Sequence, residues 1–258
     1  MAEKIRLDVL IFQRGLVPSR NKATALIMEG KVSVNDKIVT KSGFSVSEAD
    51  NISIKETDEF VSRGGIKLKK ALEEFAINVK DKICLDIGAS TGGFTECLLK
   101  YGAKKVYCID VGYGTLDLKL RNDSRVINIE KTNIRYFDKT LLKEEIDLAV
   151  IDVSFISLEK VLPKVKELVK NDGEIIALLK PQFEAPRGST KKGVVKDENI
   201  RQQTIEKIKL FSKSIDLKLI NETNSPIKGP KGNLEYFLYV IVEKPMPTLK
   251  LRQAGNNH

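Results

Sequence analysis

LDIGASTGGFTECLL, Leu85 to Leu99, runs from an apolar strand through a glycine-rich turn into a helix. Asp86 closes the strand. Gly88, Gly92 and Gly93 let the backbone approach a ligand, Ala89, Ser90 and Phe94 complete the turn, and the helix start offers free N–H groups. The next apolar run, KVYCI, is closed by Asp110, placed to accept hydrogen bonds from ribose hydroxyls. A nicotinamide dinucleotide would use the same architecture. However, the spacing is G-x-x-x-G-G rather than G-x-G-x-x-G, and nothing suggests a second nucleotide half. A glycine turn with no ligand leaves Asp86, the three glycines and Asp110 unexplained together.

Outward from this turn the chain alternates strands and helices. KICLDIG, KVYCIDV, RVINIE, IDLAVID and GEIIALLK are short apolar runs rich in β-branched residues, separated by helix-like stretches at 93–101 and 157–170. That pattern predicts a parallel sheet covered on both faces. LKLINET and LEYFLYVIVE are joined by a Pro/Gly-rich loop without a helix, which predicts an antiparallel last strand. The motif D-x-G-x-x-x-G-G-F-T resembles the first motif of S-adenosylmethionine-dependent methyltransferases, and the antiparallel strand suits that fold. The resemblance implies a Rossmann-like α/β domain over 66–245 with S-adenosylmethionine as cofactor.

Charged residues end apolar strands where ligands of such sheets bind. Asp152 closes LAVID, Lys180 closes IIALLK before Pro181, and Glu235 lies in GNLEYFLY. A further cation is out of place. SRGGIKLKKAL, Ser62 to Leu72, has helical spacing, and Lys69 and Lys70 each have a glutamate four residues on. Lys67 has none, and sits in the first turn, where a cation opposes the helix dipole. Together, Lys67, Asp152, Lys180 and Glu235 resemble the Lys-Asp-Lys-Glu set of FtsJ/RrmJ-like ribose 2′-O-methyltransferases. In that set Lys180 would take the proton of a ribose hydroxyl or stabilise the alkoxide. Lys67 would oppose a second positive charge, and the carboxylates would orient the ammonium groups. The chemistry needs no metal, and no His/Cys cluster is present.

The first 58 residues read as a separate module. IRLDVLIFQRGL and SRNKATALIMEG have helical spacing with terminal glycines, KVSVNDKIV alternates around Asn35-Asp36 as a hairpin, and DNISI adds a strand. Carried by Arg6-Leu7-Asp8, Ser19-Arg20, Lys22-Ala23, Gly30 and Val32 to Asn35, this stretch resembles the S4 RNA-binding domain, a small α+β fold. The resemblance implies RNA contacts by Arg6, Arg20, Lys22 and Lys31, in keeping with the weight of phosphate contacts in nucleic-acid binding. Residues 59–65 would form the joint between modules, with a flexible tail at 246–258. The whole chain resembles the TlyA (hemolysin A) family of ribosomal RNA methyltransferases through VSRGGIKL, IDVSFISL, LKPQFE, KKGVVKD and GPKGNLEYF. Cytidine ribose in ribosomal RNA or ribosomal subunits is the implied substrate.

Composition agrees. The 258 residues carry a formal charge of +9, and residues 180–258 hold 15 basic against 8 acidic side chains. One-sided charge suits a polyanion partner. Three cysteines without metal spacing read as buried thiols, and no apolar run is long enough to span a membrane, so a cytoplasmic protein is expected. Rival readings are a non-catalytic ribosome-assembly protein, a membrane-lytic hemolysin, and a base N-methyltransferase. Asp152-Val153-Ser154-Phe155 lacks the prolines usual in the last of these. The segment 184–197, basic and poorly periodic, resembles the segment after the fifth strand in the family and suits a cover for the site, a contact with RNA, or a solvated loop.

Overall fold

The computed structural model describes residues 4–17, 19–28, 30–54 and 59–244. The tail at 246–258, expected to be flexible, lies outside the described residues, as do 55–58 at the end of the expected first module. The chain divides into two compact units, 1–59 and 60–258.

The first unit contains β1 (Ile5–Arg6), α1 (Leu7–Gln13), α2 (Arg20–Met28), β2 (Val32–Val34), β3 (Lys37–Ile38), β4 (Ser45–Val46) and β5 (Ile52–Ile54). Asn35 and Asp36 both take positive φ, 48° and 65°, the geometry of a tight hairpin turn between β2 and β3. β2 also pairs with β5, and β1 with β4, both antiparallel. Leu7, Leu10, Ile11, Leu26, Ile27 and Val32 form its core.

The second unit follows as α3 (Arg63–Glu74), β6 (Ile83–Ile87), α4 (Gly93–Lys100), β7 (Lys105–Ile109), α5 (Leu118–Arg121), β8 (Val126–Ile129), β9 (Ile146–Ile151), α6 (Leu162–Leu168), β10 (Val169–Leu179), α7 (Pro181–Glu184), α8 (Glu198–Ser214), β11 (Leu217–Asn224) and β12 (Tyr236–Val242). Seven strands form one sheet in the order β11-β12-β10-β9-β6-β7-β8. β12 is antiparallel to both its neighbours, whereas the β10–β9, β9–β6, β6–β7 and β7–β8 pairs are parallel. The sheet is covered on both faces. Leu68, Leu72, Cys97 and Leu98 of α3 and α4 pack with alternate strand residues such as Val106, Leu148 and Ile176. Leu162, Val165, Ile205 and Ile208 of α6 and α8 pack with the other set, among them Ile109, Ile151 and Leu179.

Two expectations need correction. The helix expected over 157–170 is a single turn, Leu158–Lys160, followed by α6; Val169 already begins β10. From Phe60 on, the joint expected at 59–65 is part of the second unit. Phe60 is buried in the second unit's core, Val61 N–H donates to Glu96 Oε2, and α3 starts at Arg63 behind a Ser62 cap. The apolar ring of Phe60, lying against Gly65, supplies the reason. Cys84, Cys97 and Cys108 are buried free thiols, and burial pushes Cys84 up to about 12.

Candidate active site

The topology brings distant residues to one edge. Chain order departs from β6 to one side through β7 and β8, then returns to β9 on the other side, making the crevice where such sheets bind ligands. The carboxyl ends of β6, β7, β9 and β10 meet there. Because β12 is antiparallel, its start lies at the same edge, with Tyr236 opposite Leu179. Glu235 and Lys180, flanking that pair, therefore arrive at one place although they are far apart in sequence.

Two adjoining cavities occupy the crevice. The larger, about 560 Å3, is walled by Lys67, Asp152, Lys180 and Glu235, together with Gly88, Ala89, Ser90, Gly93 and Phe94 of the glycine turn. The other, about 460 Å3, is walled by Asp110 and Asn133 and shares Gly88, Ser90 and Asp152 with the first. The four charged residues form two ion pairs. Lys67 Nζ donates to Glu235 Oε2 at 2.5 Å, with both side chains almost out of solvent. Lys180 Nζ lies 2.6 Å from Asp152 Oδ1, an ion contact without hydrogen-bond alignment, and donates to Ser154 Oγ at 3.0 Å. The cation with no partner on its own helix is thus paired by the last strand. Each lysine has its own carboxylate, and both pairs face one cavity.

Asp110 organises the cofactor side. Its Oδ2 accepts from Ser90 N–H at 2.8 Å and its Oδ1 from Gly112 N–H at 2.7 Å. A carboxylate has about four acceptor positions, so lone pairs remain for a diol in the adjoining cavity. Gln182 Oε1, on the wall of the larger cavity, is buried without a partner. Acceptors at Asp110 and Gln182, an open two-part crevice and a backbone turn between them fit S-adenosylmethionine, which offers ribose hydroxyls and an amino group as donors.

The structure reassigns several residues of the glycine motif. Asp86 lines neither cavity. It is wholly buried under the turn, Thr95 Oγ1 donates to its Oδ2 at 2.6 Å, and its Oδ1 has no partner. Burial pushes its carboxyl up to about 7. Gly92 also lines neither cavity. A Cβ there would lie 2.3 Å from Leu120 Cδ1, and φ is +96°, so glycine serves packing rather than ligand approach. Gly93 does line the larger cavity, yet a Cβ on it would fall 2.2 Å from Ser62 Oγ; it lets α3 close on α4. Ser62, Gly64, Ser154, Gln182 and Asn233 line the larger cavity and were not identified from sequence. Of these, only Ser62 carries a local signal, as the cap before Arg63.

In the first unit, Arg6 and Arg20 are brought together by Asp8. Arg6 Nε donates to Asp8 Oδ1 and Arg20 Nη2 to Asp8 Oδ2, each at 2.9 Å. Both guanidinium groups are about half exposed while Asp8 is buried, and the Arg6 hydrogen bond holds its carboxyl below the usual range. Lys31 is half-buried before β2. The side chain of Lys22 lies outside the described residues.

Comparison with known proteins agrees with this geometry. Residues 60–241 match the FtsJ-like methyltransferase family and residues 5–52 match the S4 domain. Hemolysin A of Brachyspira hyodysenteriae is 46% identical over 242 residues, covering 92% of this chain and 100% of that protein. The 16S/23S rRNA (cytidine-2′-O)-methyltransferase TlyA of Mycobacterium tuberculosis is 42% identical over 243 residues, covering 93% of this chain and 91% of that protein. The solved structure of a candidate hemolysin from Streptococcus thermophilus superposes with a TM-score of 0.73 at 38% identity, covering 95% of this chain and 90% of that one.

Proposed function

The chain belongs to the FtsJ-like methyltransferase family and carries an S4 domain, and from that membership we propose that it methylates the ribose 2′-hydroxyl of a cytidine in ribosomal RNA. The observation that carries this reading is the pairing of Lys67 with Glu235 and of Lys180 with Asp152 around one cavity beside the glycine turn. The related TlyA from Mycobacterium tuberculosis bears the name of a cytidine-2′-O-methyltransferase of 16S and 23S RNA, which supports the same acceptor here.

The residues divide the work. Asp110, Gly88, Ala89, Ser90 and Gln182 would hold the cofactor, and S-adenosylmethionine would supply an electrophilic methyl group on a sulfonium. A ribose hydroxyl is weakly acidic and needs a proton acceptor as its oxygen attacks. Lys180 Nζ, aimed by Asp152 and Ser154, takes that proton as the neutral amine, after releasing one of its own to solvent. Lys67, fixed by Glu235, keeps a positive charge facing the same cavity and stabilises negative charge developing on the oxygen. Arg6 and Arg20 of the S4 unit bind RNA phosphates. The relatives named hemolysins do not favour a lytic reading. Among the described residues, no helix is long and apolar enough to cross a membrane.

The test is a ribosomal RNA substrate carrying a 2′-deoxy residue at the target nucleotide. It should bind almost as well as the parent, because one hydroxyl is a small part of a phosphate-dominated interface, and accept no methyl group. Normal methylation of that substrate would place the methyl on a base and overturn the assignment.

A further inference from the structure

We propose that Asn233 is a positioning residue that fixes a basic turn, Lys191 to Val194, at the rim of the acceptor cavity, where the turn takes phosphates of the RNA strand. The inference rests on the reading of RNA as substrate and extends it to a surface of the second unit. Asn233 is 2% exposed, and its amide is used at both ends. Nδ2 donates to Gly193 O at 2.9 Å, and Oδ1 accepts from Val195 N–H at 3.0 Å. Its own backbone carbonyl accepts from Gly229 N–H at 2.9 Å. One side chain therefore ties two irregular segments together, two residues before Glu235.

What it holds is a tight turn. Lys191 and Val194 exchange backbone hydrogen bonds, at 2.9 and 3.1 Å, across Lys192 and Gly193. Both central residues have positive φ, 53° and 79°, the signature of a two-residue type I′ turn. Thr190 and Gly193 line the larger cavity, and Lys191 and Lys192 are exposed beside it. Lys231 joins them, its side chain lying against Gly193. A loop held only by its ends would wander, and mobile charges contact a polyanion at an entropic cost. A buried amide that satisfies one donor and one acceptor of the turn removes that freedom. Three lysines at a fixed rim match the phosphates on either side of a ribose that must enter the cavity. Lysine ammonium groups are not matched to any one base, so the contact would be independent of sequence.

The experiment uses the full chain, its cofactor and ribosomal RNA, with two variants, Asn233→Ala and the double variant Lys191→Ala/Lys192→Ala. The lysine variant should raise KM for RNA about tenfold with cofactor affinity unchanged. It should also flatten the salt dependence of KM, each lost phosphate contact removing about 0.7–0.9 from the slope. Asn233→Ala should speed amide exchange at Val194 and Val195 and raise KM by a similar factor. Combining the variants should add little, because a loosened turn no longer presents its lysines. An unchanged KM and salt slope in the lysine variant would overturn the RNA role of the turn. A fall in kcat for Asn233→Ala with unchanged exchange would overturn the positioning role. Should Asn233→Ala not fold, the lysine variant alone decides whether the turn meets RNA. The parental chain is the control: if it methylates no RNA, the functional reading itself has failed.

Discussion

Lys180, which follows β10, lies 2.6 Å from Asp152 and 3.0 Å from Ser154, so the end of β9 aims the amine that ends the neighbouring strand. Replacing Lys180 by Ala should lower methyl transfer by about 10²–10⁴-fold while cofactor binding stays nearly intact. The informative companion is Lys180→Arg. Arginine keeps the charge but does not give up its proton in proteins, so this variant should be as inactive as the alanine. Substantial turnover by Lys180→Arg in a methylation assay would show that positive charge, not proton acceptance, carries the step.

The Lys67–Glu235 pair makes a different prediction, because both side chains are buried. Lys67→Met strands a carboxylate whose Oε1 already lacks a hydrogen bond. Removing one partner of a buried pair typically costs about 3–5 kcal/mol. Adding Glu235→Gln should restore most of that stability in chemical denaturation and none of the activity. Recovery of methylation in the double variant would remove Lys67 from the mechanism.

Asp110 should contribute to cofactor affinity in two ways, directly and by holding the Ser90 and Gly112 N–H groups. Asp110→Ala should weaken S-adenosylmethionine binding by about 1–3 kcal/mol, read by calorimetric titration. Asp110→Asn keeps one acceptor and should lose less.

Asp86 predicts a pH effect on stability. Burial raises its carboxyl from 3.8 to about 7 in the folded chain. Between those values the folded state holds a proton that the unfolded state has lost, so this group's contribution to stability falls as pH rises from about 4 to about 7. Asp86→Asn should flatten that part of the profile, gaining melting temperature relative to the parent at about pH 8 and little at about pH 4. A parallel profile for parent and variant would mean that Asp86 is ionised throughout.

Lys180 and Asp152 stood out in sequence because they end apolar strands, and Lys67 because it stands on a helix without a counter-charge; Glu235 joined them through the resemblance to the Lys-Asp-Lys-Glu set. Their pairing was not legible, since it depends on β12 running antiparallel beside β10. Of the glycines only Gly92 lines neither cavity, and nothing local in TGGFT reveals that it abuts Leu120 or that Gly93, which does line the larger cavity, also abuts Ser62. Asn233 was invisible because both its partners lie in an irregular segment some forty residues upstream.

Among the described residues β12 is the last strand to be made, yet it lies between β10 and β11, and Glu235 just before it reaches back 168 residues to Lys67. A growing chain leaves the ribosome from its N-terminus, and domains form as units once their parts are available. Until residues 235–242 have emerged, β11 has no partner in the sheet and Lys67 no counter-charge. The glycine turn lies in the first half of the chain, but the reacting centre is complete only with Glu235 and β12, so a chain cut short before residue 235 lacks both the counter-charge of Lys67 and the strand between β10 and β11.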